Sequence, residues 1–356
     1  MIVLLGRINM AEKQSEKILD VKDLVVTFDT YQGSVQAVRG VSFYVNRRET
    51  VGIVGESGCG KSVTIRTVMG LNPRSSGSVK GGEALFEGRD VLKMTDREIM
   101  DILGNRMSMI FQDPFTFLNP TMQVGRQITE TYLRHHKVSR KEAEEKALSI
   151  LRLISLPNPE ENMKRYPHQL SGGMRQRIMI AIALICEPAV LFADEPTTAL
   201  DVTIQAQIID LMNSLKEKTD TSIVLITHDM GVVAKMVDRL YVMYAGKIVE
   251  QGDALSLFHR PRHPYTWGLL DSVPRLDERT REELHSIPGM PPDLIAPPEG
   301  CPFAARCQYA MNICKRKMPD QLPLGEPGHA AACWLCHPEY VKKFGEKTRE
   351  AAQHEK

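Results

Sequence analysis

Apolar and polar residues alternate in part from Ile18 to Phe28 and again from Val41 to Val45, the period of strands with one buried face. Val51–Val54, Val190–Ala193 and Ile223–Thr227 are continuous apolar runs instead, as expected of strands covered on both faces. Between these runs lie helical patterns, notably Arg175–Cys186 and Ile204–Lys216. Strands alternating with helices predict an α/β core. From about 113 to 174 the chain reads as largely helical, most clearly over Lys141–Ile154, with turns at Pro114, Pro120 and Pro157. This stretch is expected to be a helical insertion in the α/β core.

Composition adds boundaries. Thirteen of the 21 prolines lie between Pro261 and Pro338, and five of the seven cysteines lie from Cys301 onward. The expected organisation is a flexible N-terminal extension over 1–17, an α/β domain over 18–258, a small loop-rich extension with the cysteines over 259–340, and a charged tail over 341–356. Lys and Arg number 45 against 44 Asp and Glu, so no global basic field draws the chain to nucleic acid or anionic lipid. The longest apolar run, Ile178–Cys186, is far short of the about 20 residues that a membrane helix needs. Met1–Leu5 before Arg7 is too short an apolar stretch for a secretory leader. A reducing compartment is therefore expected, where clustered cysteines point to metal rather than to disulfides.

Residues Gly55, Glu56, Ser57, Gly58, Cys59, Gly60, Lys61 and Ser62 spell G-x-x-x-x-G-K-S, directly after an apolar strand and before the helix-compatible run Val63–Met69. Glycines let backbone N–H groups curl around phosphate oxygens without Cβ clashes, and the helix N-terminus adds partial positive charge. Lys61 is expected to reach the β- and γ-phosphates of ATP, and the Ser62 hydroxyl to ligate Mg²⁺. Asp194 and Glu195 end the apolar strand Val190–Ala193, where carboxylates face the ligand crevice of α/β folds. Asp194 fits a holder of Mg²⁺ that acts through the ion's direct ligands, and Glu195 a base that polarises attacking water. Taken alone, the same pair would equally suit a cap on a following helix.

Leu170-Ser-Gly-Gly-Met174 follows, and Arg175-Gln-Arg177 then opens an apolar helix. With the phosphate loop and the Asp194-Glu195 strand, this resembles the ATP-binding subunit of ABC transporters. The resemblance implies a P-loop NTPase fold, an ABC-type nucleotide-binding domain, and ATP hydrolysis. It implies that Gln112 is the Q-loop residue near Mg²⁺ or water, that Thr198–Asp201 is the D-loop, and that His228 contacts the γ-phosphate. Tyr31, or else Phe28, would stack on adenine. Ser171, Gly172 and Gly173 would grip the ATP of a second ABC subunit, identical or homologous, in a sandwich dimer. The family's usual fifth signature residue is Gln; here it is Met174.

Phe111–Pro120, His263-Pro-Tyr-Thr266, and Ile287–Leu294 leading into Gly300-Cys-Pro-Phe-Ala-Ala-Arg-Cys307 resemble the dipeptide and oligopeptide importer branch of that family. Some nickel-import subunits are similar. Cys301, Cys307, Cys314 and Cys333 are spaced C-x5-C-x6-C-x18-C. Four thiolates suit a [4Fe–4S] cluster, and zinc or unmetallated thiols stay open. The family pattern implies Cys333 as the fourth ligand and leaves Cys336 extra.

The expectation is an ATPase that powers peptide import from the cytoplasmic face of the cell membrane, held peripherally on separate permease subunits. An external solute-binding protein would act indirectly, and nucleic acid would be no partner. Alternatives are the ATPase of a nickel importer, and a non-transport or redox-sensing ABC protein.

Overall fold

A computed structural model describes residues 16–72, 77–197, 202–272 and 287–349. Its strands are β1 (Lys17–Thr30), β2 (Gly33–Asn46), β3 (Thr50–Val54), β4 (Gly77–Phe86), β5 (Arg89–Asp90), β6 (Met107–Ile110), β7 (Val190–Asp194), β8 (Ser222–Thr227), β9 (Arg239–Tyr244), β10 (Lys247–Asp253), β11 (Leu322–Pro323) and β12 (Ala330–Ala331). One sheet, ordered β2-β1-β4-β5, is antiparallel throughout. The other is ordered β11-β12-β10-β9-β3-β8-β7-β6. It is parallel from β9 to β6 and antiparallel from β9 outward to β11.

Side-chain alternation explains the continuous apolar runs. Leu191 and Ala193 enter one core, while Val190 and Phe192 enter the other. Ile223 and Leu225 likewise part from Val224 and Ile226. Each strand thus feeds a core on each face of the sheet, so no polar position interrupts it. The second core lies between the main sheet and the antiparallel sheet, and includes Leu19, Val38 and Phe43. The other is covered by helices, among them Gly172–Leu184 and Val202–Lys218.

Between β6 and β7 the chain leaves the sheet for helices Pro114–Phe117, Val124–His135, Arg140–Leu153 and Pro159–Asn162. Arg140–Leu153 starts with a capping box, Ser139 and Glu142, and buries Ala143, Ala147, Ile150 and Leu151. That spacing is one face of a helix. The reading of 1–17 as an extension falls largely outside the described residues, as do the loop 198–201 and the tail from 350; β1 begins at Lys17. The helix at the chain's end runs Pro338–Phe344.

The proline-rich region joins the main sheet rather than hanging from it. β12 pairs with β10, and Cys301 and Phe303 share a core with Val54 and Tyr244. The ring of Phe303 packs against Tyr244, Tyr265 and His263. Buried Glu250 accepts hydrogen bonds from the backbone N–H of Arg262 (2.7 Å) and His263 (3.0 Å), and lies 3.0 Å from His329 Nε2. Burial pushes the His263 imidazole down to about 4, so it is neutral, and its Nδ1 accepts from Tyr265 N–H to cap helix Pro264–Asp271.

Candidate functional site

The four strands β3, β6, β7 and β8 run parallel, so their C-terminal ends, Val54, Ile110, Asp194 and Thr227, share one edge of the sheet. The sequence-predicted residues follow these ends. After β3 the loop 55–60 curls into helix Lys61–Val68. Gly55 and Gly60 hold positive φ angles of 155° and 103°. A Cβ on Gly55 would stand 2.0 Å from the Met243 carbonyl oxygen, and one on Gly60 would stand 2.3 Å from that of Ala37. Only glycine fits either position.

Lys61 is 5% exposed. Its ammonium donates to the carbonyls of Gly55 (2.7 Å) and Glu56 (2.9 Å), folding the side chain along the inside of the loop. Burial pushes the Cys59 thiol up against the opposing pull of Lys61, so it is a neutral filler. Ser62 Oγ donates to Asp194 Oδ1 at 2.7 Å. Asp194 is 1% exposed, and burial raises its pKa despite Ser62 and Arg66. Its other oxygen, Oδ2, is buried, makes no hydrogen bond and lies 3.7 Å from Arg66 Nη2. A hydroxyl beside a buried carboxylate oxygen without a donor suits a hard cation such as Mg²⁺.

Glu195 follows in the left-handed region, with φ of 48°, and its N–H donates to Ile226 O at 2.9 Å. That backbone turns the carboxylate out of the sheet, a strained conformation held by neighbouring structure. Gln112 Nε2 donates to Glu195 Oε2 at 3.1 Å, and His228 Nδ1 lies 3.3 Å from Oε1. Two residues from two other strand ends therefore converge on the Glu195 carboxylate. Such a carboxylate is oriented to polarise a water molecule.

Tyr31 occupies the β1–β2 turn with its ring fully exposed. Phe28 instead packs against the second core. Ser171 Oγ caps helix Gly172–Leu184 by accepting from Met174 N–H. Gly172 faces Phe115 and Gly173 faces Ile204, on the helical side of the molecule. Gln176 Nε2 reaches back to Pro196 O at 2.6 Å, tying this helix to the loop after Glu195.

Cys301, Cys307, Cys314 and Cys333 line one cavity of about 20 Å³, with Phe303, Tyr309 and Trp334. A Cβ on Gly300 would stand 2.2 Å from Cys314 O, so glycine brings the loops of Cys301 and Cys314 together. Burial pushes the thiols of Cys301 to about 11 and of Cys307 to about 12. Among the described residues no group of three or more His, Cys, Asp or Glu is gathered closely enough to hold a metal ion. The thiols thus share a cavity without being closed into a ligand set.

Sequence reasoning gave no role to Arg306 and Tyr265, which contact Glu56 in the phosphate loop. Their only signal was membership of the stretches His263–Thr266 and Gly300–Cys307. Among the described residues no helix is long and apolar enough to cross a membrane.

The ABC transporter family matches residues 38–198, and the oligopeptide/dipeptide transporter C-terminal region matches 249–314. The chain is similar to the dipeptide transport ATP-binding protein DppD of Bacillus subtilis, 57% identical over 90% of this chain and 95% of that one. It is similar to the oligopeptide transport ATP-binding protein OppD of Escherichia coli, 49% identical over 91% of this chain and 95% of that one. Among solved structures, the dimeric post-hydrolysis state of the ATP-binding cassette MJ0796 with ADP and Pi is similar, with a TM-score of 0.60 and 25% identity over 66% of this chain and 98% of that one. The chain belongs to the ABC transporter family of ATP-hydrolysing cassettes, in the branch of the dipeptide and oligopeptide transport ATP-binding proteins.

Proposed function

We propose that this chain powers import of dipeptides or oligopeptides by binding and hydrolysing ATP beneath separate permease subunits. The observation that carries the ATPase half is the convergence of Gln112, Glu195 and His228 beside the Ser62–Asp194 pair. Residues 55–63 bind the phosphates, with Lys61 leaving its two loop carbonyls for phosphate oxygens. Ser62 and Gln112 would ligate Mg²⁺, with Asp194 holding it from behind Ser62, and the ion would neutralise charge on the transferred phosphate. Glu195 orients the attacking water and accepts its proton as it attacks the γ-phosphate, with Gln112 and His228 fixing its two oxygens. Tyr31 stacks on adenine.

Ser171, Gly172 and Gly173 lie at a helix N-terminus, which favours anions. They face the phosphates of a second ATPase subunit, so that ATP closes the pair and hydrolysis releases it. The cassette spans 18–258, with its helical insertion over 113–174, and the extension spans 259–340. The peptide reading rests on the names of the relatives and on the matched C-terminal region. It agrees with a peripheral position on the cytoplasmic face of the membrane.

A [4Fe–4S] cluster would be held by Cys301, Cys307, Cys314 and Cys333, which share one cavity but are not drawn into a ligand set, so binding would have to bring the thiols together. Bound there, the cluster would staple a region with little core of its own.

Reconstitution with the permeases tests the whole reading. Wild-type protein is expected to drive uptake of labelled peptides. Lys61→Ala is expected to lose both nucleotide binding and uptake. Near-normal hydrolysis by Lys61→Ala contradicts the phosphate assignment, and nickel uptake without peptide uptake contradicts the solute.

A further inference from the structure

The extension touches the phosphate loop at its second residue. Arg306 Nη1 donates to Glu56 Oε2 at 2.6 Å and Nη2 to Glu56 Oε1 at 3.0 Å, a two-pronged pair. The remaining contacts of the guanidinium go to Tyr244 Oη (3.2 Å), Ile287 O (2.9 Å) and Pro288 O (2.9 Å). The Arg306 side chain is 5% exposed and that of Glu56 26%. Tyr265 Oη accepts from the Glu56 N–H at 2.8 Å, so both the backbone and the side chain of Glu56 are held from outside the cassette.

The same stretch grips the opposite wall of the loop. Gln36 N–H donates to Leu294 O at 2.8 Å, and Arg39 Nη2 donates to Pro298 O at 3.1 Å. Between those residues lies Ala37, whose carbonyl closes against Gly60. Residues 287–306 therefore span from β2, the strand that follows Tyr31, across to the start of the phosphate loop.

A carboxylate in a loop that receives a triphosphate opposes it by Coulomb repulsion unless it is paired. A forked, largely desolvated guanidinium both cancels that charge and fixes its position. We infer that Arg306 is a positioning residue for nucleotide: through Glu56 it sets the shape and charge of the phosphate loop, so the C-terminal extension tunes ATP affinity. This inference rests on the reading of residues 55–62 as the phosphate loop.

The test uses the full chain and measures the Kd of a fluorescent ATP analogue together with KM and kcat for ATP. Arg306→Met is expected to raise Kd and KM about tenfold while kcat changes by less than about twofold. Arg306→Lys, which keeps the charge but not the fork, is expected to restore about half of that loss on a logarithmic scale. Glu56→Gln added to Arg306→Met is expected to be no weaker than Arg306→Met alone, because the unpaired charge is gone. A double variant whose loss is the product of the two single losses overturns the inference. So does a Glu56→Gln single variant with wild-type Kd and KM. That variant lies outside the extension, and decides the matter if Arg306→Met fails to fold. Should Lys61→Ala keep wild-type affinity, the phosphate-loop reading itself fails. Should Lys61→Ala lose binding while Glu56→Gln and Arg306→Met keep it, only the role of Arg306 fails.

Discussion

The phosphate loop and the cysteine cavity are built in opposite ways. The loop is strung between a fully buried parallel strand and a helix N-terminus, and its glycines are wedged against the carbonyls of Met243 and Ala37. Its shape is fixed by regular structure on both sides. The cavity is walled by loops, a helix of five residues, the first residue of helix Pro264–Asp271 and the short turn Trp334–Cys336. Cys301 and Cys333 are buried, Cys307 and Cys314 partly so, and burial pushes the thiols of Cys301 and Cys307 toward the neutral form. A preorganised site keeps its geometry without its ligand; a site made of loops depends on what fills it. The contacts of Arg306 and Tyr265 join the two, so loss of order in the second is expected to reach the first in weakened form.

The largest expected effect falls on the rigid side. Gly60→Ala forces a Cβ toward Ala37 O in a backbone conformation that costs about 1–3 kcal/mol for a side chain. Nucleotide affinity should drop by about a hundredfold or more, the scale of 2.7 kcal/mol and up. Titration with a fluorescent ATP analogue checks this. Unchanged affinity would show that the loop is not wedged as described.

Metal removal probes the loop-built side. Protein purified without oxygen is expected to be brown, with iron and acid-labile sulfide near about four per chain. Stripping the iron should expose the extension to protease and lower Tm. ATP affinity should fall far less than in Gly60→Ala. Colourless protein with a single zinc would replace the cluster by a different staple. Equal loss of affinity in both experiments would erase the contrast between the sites.

The smallest effect is expected from Tyr265→Phe, which removes the acceptor for Glu56 N–H. One such hydrogen bond is worth about 1 kcal/mol, or about fivefold in affinity. A loss no larger than the error of the titration would leave Arg306 as the extension's effective hold on Glu56.

Much of the rigid side was legible in the sequence, for a physical reason. A loop that wraps phosphate must place glycines, lysine and serine at fixed offsets, and a strand covered on both faces must be apolar until its end. Gly55–Ser62 therefore announces itself locally, whereas Asp194 and Glu195 take their reading from its company. Gln112 and His228 carry no local mark, and entered through resemblance alone; the structure brings both onto Glu195. The sequence left Tyr31 and Phe28 as alternatives for stacking on adenine; they differ in burial, Phe28 packing against the core and Tyr31 standing exposed. Arg306 was invisible because its partner lies 250 residues away in the chain, and no periodicity spans that distance. The cysteines advertised their number and spacing, but only the fold shows that four of the five in the extension line one cavity.

The most direct measurement is a single-turnover assay of Glu195→Gln in parallel with ATP binding. The carboxylate held by Gln112 and His228 is assigned to proton transfer and not to ATP binding. The variant should therefore bind ATP about as well as the wild type while hydrolysis slows by about 10²–10⁴. Hydrolysis at the wild-type rate, or loss of ATP binding with the rate of bound ATP unchanged, would contradict the assignment.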